Sequence, residues 1–176
     1  MAKAFKQPRV VLTCAAGRLP LPRAAFARRV DAAFRRLGGR GTVSLVVVDD
    51  RTSRRINRKH LQHDWATDVI TFPLGGKSPI PHPQSQPAGE IFISLITARR
   101  EARVRGIPVA DELLRYAVHG LLHLHGYDDG TARARTRMWI RQETLLTQIL
   151  NPQFQHDNQT KTTAQQHNDK TAQQKE

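Results

Sequence analysis

Apolar positions recur in this chain with two periods, and the switches between them predict its elements. Arg9 to Ala15 reads as a short apolar strand. From Pro22 to Leu37 the spacing turns helical, with Phe26, Val30, Ala33, Phe34 and Leu37 on one face, and Gly38-Gly39 ends the run. Thr42 to Val48 is β-branched and predicts a strand. Asp50 is expected to cap a helix running to about Leu61. Asp68 to Phe72 predicts a third strand that stops at Pro73. Residues 74–88 carry Pro79, Pro81, Pro83 and Pro87, which predicts a mobile loop. Glu90 to Ser94 predicts a fourth strand, and helices are expected at about 95–105, 110–125 and 131–150.

This order predicts an α/β fold of the α+β type, a small sandwich in a single domain over residues 1–150. The third and fourth strands are joined by a loop without a helix, so they are expected to pair antiparallel. Residues 151–176 are rich in Gln, Asn, Thr and Lys and nearly devoid of apolar residues, so they are expected to form a disordered polar tail. His156 and His167 in that tail are not candidate ligands.

Charge adds a partner class. The 176 residues carry 28 Lys+Arg against 15 Asp+Glu, a net +13. Bases and acids balance in residues 151–176, so the excess lies in the domain. A folded domain this basic expects a polyanion, most simply RNA or DNA. Arginine supplies most of it, in clusters that include Arg58, Arg99, Arg103 and Arg137, and guanidinium forks suit phosphate oxygens. Cys14 is the single cysteine, which excludes an intramolecular disulfide and fits a reducing compartment. The N-terminal residues have no apolar signal-peptide core, and no run approaches the ~20 apolar residues of a membrane span. A cytoplasmic protein is the expectation.

Candidate chemistry concentrates in residues 119–129, His-Gly-Leu-Leu-His-Leu-His-Gly-Tyr-Asp-Asp. His119 and His123 lie four apart in a predicted helix, so both imidazoles project from one face. The flanking Leu113, Leu114, Ala117, Val118, Leu121, Leu122 and Leu124 make that helix largely buried. Gly126 stands where a left-handed cap ends a helix, and the following turn can return Asp128 or Asp129 toward the histidines. Two imidazoles and a carboxylate with a fourth position open form a usual ligand set of catalytic zinc. Zinc peptidases of the H-E-x-x-H type place a Glu directly after the first histidine as general base. Here that position is Gly120, which argues against a peptidase of that mechanism.

The same residues resemble the YbeY endoribonucleases, which act in ribosomal RNA maturation. The family signature H-G-x-L-H-L-x-G-Y-D-H is similar to His119 through Asp129. A second stretch, N-x-x-Y-R-x-x-D-x-P-T-D-V-L-S-F-P, resembles Asn57 through Pro73, and a third, G-D-I-x-I-S, resembles Gly89 through Ser94. The resemblance runs over most of residues 9–150 and leaves the tail outside. It implies a four-stranded mixed sheet with about five helices, a zincin-like metal helix and one Zn2+ per chain. It implies a single-strand-specific endoribonuclease acting at the 3′ end of the small-subunit ribosomal RNA, with single-stranded RNA, ribosomal RNA or the small ribosomal subunit as partner. Neither a membrane nor DNA specificity is expected.

Two departures from the family pattern matter. The third family ligand is His, and here it is Asp129, which binds zinc through oxygen at similar distance. His125 is an alternative third ligand, but it points elsewhere on the helix. Asp128 is expected as a supporting or capping group and Tyr127 near the metal or at the helix end. The family Arg is replaced by Leu61, with Arg58 and Lys59 nearby to supply a cation. The metal is therefore assigned to His119, His123 and Asp129, which with Arg58 and Lys59 are the candidate catalytic residues. RNA contact is assigned to Arg58, Lys59, Arg99 and Arg103. Thr67 and Asp68 are candidates to line the cleft or to cap a turn. Trp65 is expected to pack under its loop or to stack on a base. The rival reading is a non-catalytic RNA-binding ribosome-assembly factor with a structural zinc.

Overall fold

The computed structural model describes residues 9–73 and 87–151. The expected loop at 74–88 falls almost wholly outside these residues, and the expected tail lies outside them beyond residue 151. The elements are β1 (Arg9–Cys14), α1 (Arg23–Arg36), β2 (Thr42–Val48), α2 (Asp50–Leu61), β3 (Val69–Pro73), β4 (Pro87–Ser94), α3 (Leu95–Arg105), α4 (Val109–Leu124) and α5 (Ala132–Leu150). The four strands form one mixed sheet in the order β1-β2-β4-β3. β1 and β4 both run parallel to β2, and β3 pairs antiparallel with β4, Thr71 standing opposite Ile91.

Helix ends follow local chemistry. Capping of α2 differs from the expectation: Asp49, in extended backbone, accepts the Thr52 N–H at 2.7 Å, and Asp50 is the first helical residue. Two adjacent aspartates offer the same cap signature, and only the one outside the helix can turn its carboxylate back onto the first turn. Asp50 instead reaches α3, where its carboxylate accepts hydrogen bonds from the Ser94 and Thr97 hydroxyls. α4 closes on Gly126, whose φ of +80° is the left-handed position; its N–H donates to His123 O and that of Tyr127 to Leu122 O.

α4 is the central helix, touching α1, α3, α5, β3 and β4. Leu113, Leu114, Ala117, Val118, Leu121 and Leu122 are all fully buried, each large one contributing roughly 1.5–3 kcal/mol of transfer free energy. A glycine sets how close α4 lies to the sheet. A Cβ at Gly120 would stand 2.6 Å from Ile91 Cγ2, far inside ordinary contact. The backbone between the two histidines therefore rests directly on β4. Glu112 is fully buried on the same helix, 3.4 Å from the Nε atoms of Arg105 and Arg115. Among the described residues, no helix is long and apolar enough to cross a membrane.

Candidate metal centre

The last two turns of α4 and the turn after it bring three ligand-type side chains together. His119 and His123 face each other with their Nε2 atoms 3.1 Å apart, and Asp129 Oδ2 lies 3.9 Å from His119 Nε2. One potential ligand atom from each of the three residues falls within a 4.8 Å span. Tetrahedral zinc with bonds of about 2.0–2.2 Å holds its ligand atoms roughly 3.4 Å apart, so small adjustments would close this set around an ion.

Hydrogen bonds at the far side of each ring fix which nitrogen faces inward. His123 Nδ1 lies 3.1 Å from Tyr127 O, a backbone carbonyl that can only accept. His119 Nδ1 lies 3.1 Å from Gln142 Oε1 on α5. The carbonyl makes His123 Nδ1 a donor; where His119 Nδ1 likewise donates to the Gln142 oxygen, both Nε2 lone pairs point at one another. Two opposed lone pairs beside a carboxylate are satisfied by a cation between them, which fits a metal. Burial, and after it the neighbouring His123, hold the His119 imidazole below its ordinary pKa, against the opposing pull of the Gln142 hydrogen bond. That favours the neutral ring that a metal requires.

The group opens into a cleft of about 380 Å³ lined by Leu61, Thr67, Asp68, Val69, Ile70, Thr71 and Pro73 together with His119, His123 and Asp129. Thr67 and Asp68 do line it. They also shape the strand entry: Asp68 Oδ1 accepts from the Thr67 hydroxyl at 3.0 Å and from Val69 N–H at 2.9 Å. Leu61 reaches the cleft from the end of α2, and no described lysine or arginine is among the lining residues.

The other candidates lie elsewhere. Arg58 and Lys59 sit on the exposed face of α2, and Arg58 approaches Asp64 at 3.9 Å. Arg99 and Arg103 are exposed on α3. His125 turns away from the cleft, with Nδ1 on Leu121 O at 2.7 Å and its ring edge-on to Phe34. Asp128 holds the turn, accepting from the N–H groups of Asp129 and Gly130. Tyr127 offers its carbonyl to His123 while its side chain packs against the core. Trp65 is not packed under its loop: it is 59% exposed, with one edge contact to His63. The hydrogen bond that seats the loop backbone, from Asn57 to Trp65 O, needs no burial of the ring. Gln142 was not among the sequence candidates.

A family model described as endoribonuclease YbeY matches residues 23–150. The chain belongs to the YbeY family. Curated YbeY endoribonucleases align with it at 45% identity over 104 residues in Myxococcus xanthus and 39% over 107 residues in Chlorobium luteolum. These alignments cover 59% and 61% of this chain, and 35% and 73% of the respective relatives. The chain thus spans about a third of the Myxococcus protein's length. A YbeY endoribonuclease of Moorella thermoacetica is 40% identical over 123 residues, covering 67% of this chain and 79% of that one. The solution structure of a Thermotoga maritima protein superposes with a TM-score of 0.57 at 23% identity, over 81% of this chain and 88% of that one. That likeness carries the fold, in agreement with the expected four-stranded mixed sheet and five helices. YbeY membership likewise bears out the resemblance read from residues 119–129.

Proposed function

We propose that this chain is a zinc-dependent endoribonuclease of single-stranded RNA, with a catalytic domain over residues 1–150. The observation that carries the reading is the convergence of His119, His123 and Asp129 on an open cleft, in a family whose members are named endoribonucleases and in a chain of net charge +13. His119 and His123 would hold one ion through Nε2 and Asp129 through its carboxylate. The chemistry supplied there when a metal is bound is Lewis acidity, which activates water and stabilises charge on a phosphate oxygen. Gln142 and the Tyr127 carbonyl keep the Nδ1 protons in place. Leu61, Val69, Ile70 and Pro73 supply the apolar part of the cleft lining. Arg58, Lys59, Arg99 and Arg103 lie outside the cleft and act on flanking phosphates, so their contribution is to binding. The substrate is ribosomal RNA, the site of action is the small-subunit 3′ end, and the compartment is the cytoplasm.

Among the described residues no lysine or arginine lines the cleft, which favours one second reading, an RNA-binding ribosome-assembly factor with a structural zinc. A closed structural site needs a fourth protein ligand. His125 and Asp128 are engaged elsewhere, which leaves the open-site reading the stronger. The deciding experiment compares cleavage of a labelled single-stranded ribosomal RNA fragment by zinc-loaded protein and by a His123→Ala variant purified identically. Cutting by the first alone supports the enzyme. RNA binding that weakens steeply with salt, with no cutting by either, supports the assembly factor.

A further inference from the structure

The two histidines are oriented by unequal means. His123 Nδ1 faces a backbone carbonyl, which has one polarity only. His119 Nδ1 faces a side-chain amide. A glutamine amide presents either its oxygen or its NH2 by rotating half a turn, and the two orientations call for opposite imidazole tautomers. With the oxygen toward it, Nδ1 carries the proton and Nε2 is free for a metal. With the NH2 toward it, Nδ1 accepts, the proton moves to Nε2, and the inward atom is blocked.

What decides between them lies one residue further along α5. Gln142 is 7% exposed, and its Nε2 lies 3.2 Å from Glu143 Oε1. An ionised carboxylate only accepts, so it fixes the NH2 on its own side and turns Oε1 toward His119. Glu143 is held in turn by the Arg115 guanidinium, which donates to the same Oε1, and Arg115 Nε lies 3.4 Å from the buried Glu112 carboxylate. A relay thus runs from the charged interior of α4 through Arg115, Glu143 and Gln142 back to His119. The two hydrogen bonds onto Glu143, from Arg115 and from Gln142, have one direction each.

We propose that Glu143 is a positioning residue for the metal centre: by fixing the Gln142 amide it sets His119 in the Nδ1–H tautomer and leaves Nε2 free to bind. The part of this that concerns affinity rests on the metal reading above. The tautomer does not, and it can be read without any metal.

Nitrogen-15 imidazole spectra of the metal-free protein, at a pH where the ring is neutral, report which His119 nitrogen is protonated. Zinc affinity by chelator competition is the second readout, on the same preparations. In the wild type His119 is expected as Nδ1–H. Glu143→Ala frees the amide to rotate, so Nε2–H signal should appear and zinc affinity should fall about 10–100-fold. Gln142→Leu removes the acceptor and should lose a similar factor. Glu143→Gln should keep the wild-type tautomer, because one amide oxygen can accept from both Arg115 and Gln142. Glu143 is about a third exposed at its side chain, so these variants should fold, and their circular dichroism checks that. A wild-type His119 in the Nε2–H form overturns the proposal. So does a Glu143→Ala protein with unchanged tautomer and affinity, or a Glu143→Gln protein as impaired as Glu143→Ala. A wild type that binds no zinc overturns the metal reading instead, and the metal-free spectra still decide the role of Glu143.

Discussion

Substitution of Gly120 by alanine tests how α4 is seated on the sheet. The new Cβ would lie 2.6 Å from Ile91 Cγ2, 3.1 Å from Ile91 Cδ1 and 3.1 Å from Thr71 Oγ1. Ordinary carbon–carbon contact is about 3.5–4.0 Å, so the closest approach is short by roughly 1 Å. Ile91 is fully buried in β4, and Cγ2 branches directly from its Cβ, so it cannot move aside as the end of a long chain would. Overpacking of this kind costs about 1–3 kcal/mol. Alanine returns up to ~1 kcal/mol through its helix propensity. The expected net loss is about 0–2 kcal/mol, or up to roughly 8 °C in Tm for a domain of this size. Denaturant titration of Gly120→Ala, Ile91→Ala and the double variant isolates the cause. In the Ile91→Ala background the alanine at 120 should be neutral or stabilising, giving a coupling of at least ~1 kcal/mol. An equal cost in both backgrounds would refute the close-contact reasoning. Zinc binding should survive, because all three candidate ligands lie within residues 119–129 and move with the helix.

Other expectations follow from single groups. Burial raises the Glu112 carboxyl above its ordinary value of 4.5, against the pull of Arg105 and Arg115. The native state then binds the proton more tightly than the unfolded chain, so stability falls as pH rises from about 4.5 toward the folded pKa. Glu112→Gln should remove that fall, and a stability–pH series in which the wild type gains on the variant over this range would show that the arginines dominate. Asp49→Ala should cost about 1 kcal/mol by removing the α2 cap. Hydrogen bonding to Thr52 holds the Asp49 carboxyl below 3.8, so its contribution is present above that value and lost as pH falls through the folded pKa. Asp49→Asn should keep most of the stability but lose this acid dependence in urea melts at pH 2–5. Free zinc at a hundred times its Kd should stabilise the wild type by ~2.7 kcal/mol, read as a thermal shift that a chelator abolishes. Asp129→Ala should lose most of that shift and Asp129→His should retain it; an unchanged shift in Asp129→Ala would remove Asp129 from the ligand set.

Most of the fold was legible because hydrophobic period and punctuation act locally. The run Phe26, Val30, Ala33 and Phe34 marks α1 and is its buried face, and Gly126 both predicts and makes the end of α4. The antiparallel pairing of β3 with β4 followed from a sequence that predicts no helix between the two strands. Strand order was not legible. Nothing in the Thr42–Val48 run says that its neighbours will be β1 and β4: the alternation of buried Val43, Leu45 and Val47 with half-buried Thr42, Ser44 and Val46 marks the core face and not the flanking strands. The α2 cap was misplaced by one residue because Asp49 and Asp50 are chemically equal in sequence and differ only in backbone dihedrals.

The site divides along the same line. Helix geometry paired His119 with His123, and the glycine turn left Asp128 or Asp129 open as the third ligand; the choice of Asp129 came from the resemblance to the family signature. Gln142 is 23 positions from His119, on a helix whose packing angle no local pattern encodes. A glutamine on a helix is also the least informative of polar residues, because most are solvated. The signal that finds it is negative: a ligand histidine must donate its outer nitrogen to something, and the turn after α4 supplies the Tyr127 carbonyl to His123 and not to His119. Any sequence that places two ligands on one buried helix therefore requires a partner from a neighbouring element for the one further from the helix end. In this chain α5, one of several elements packed against α4, meets that requirement. Searching the next amphipathic helix for a buried amide beside a carboxylate would have reached Gln142 and Glu143 without a structure.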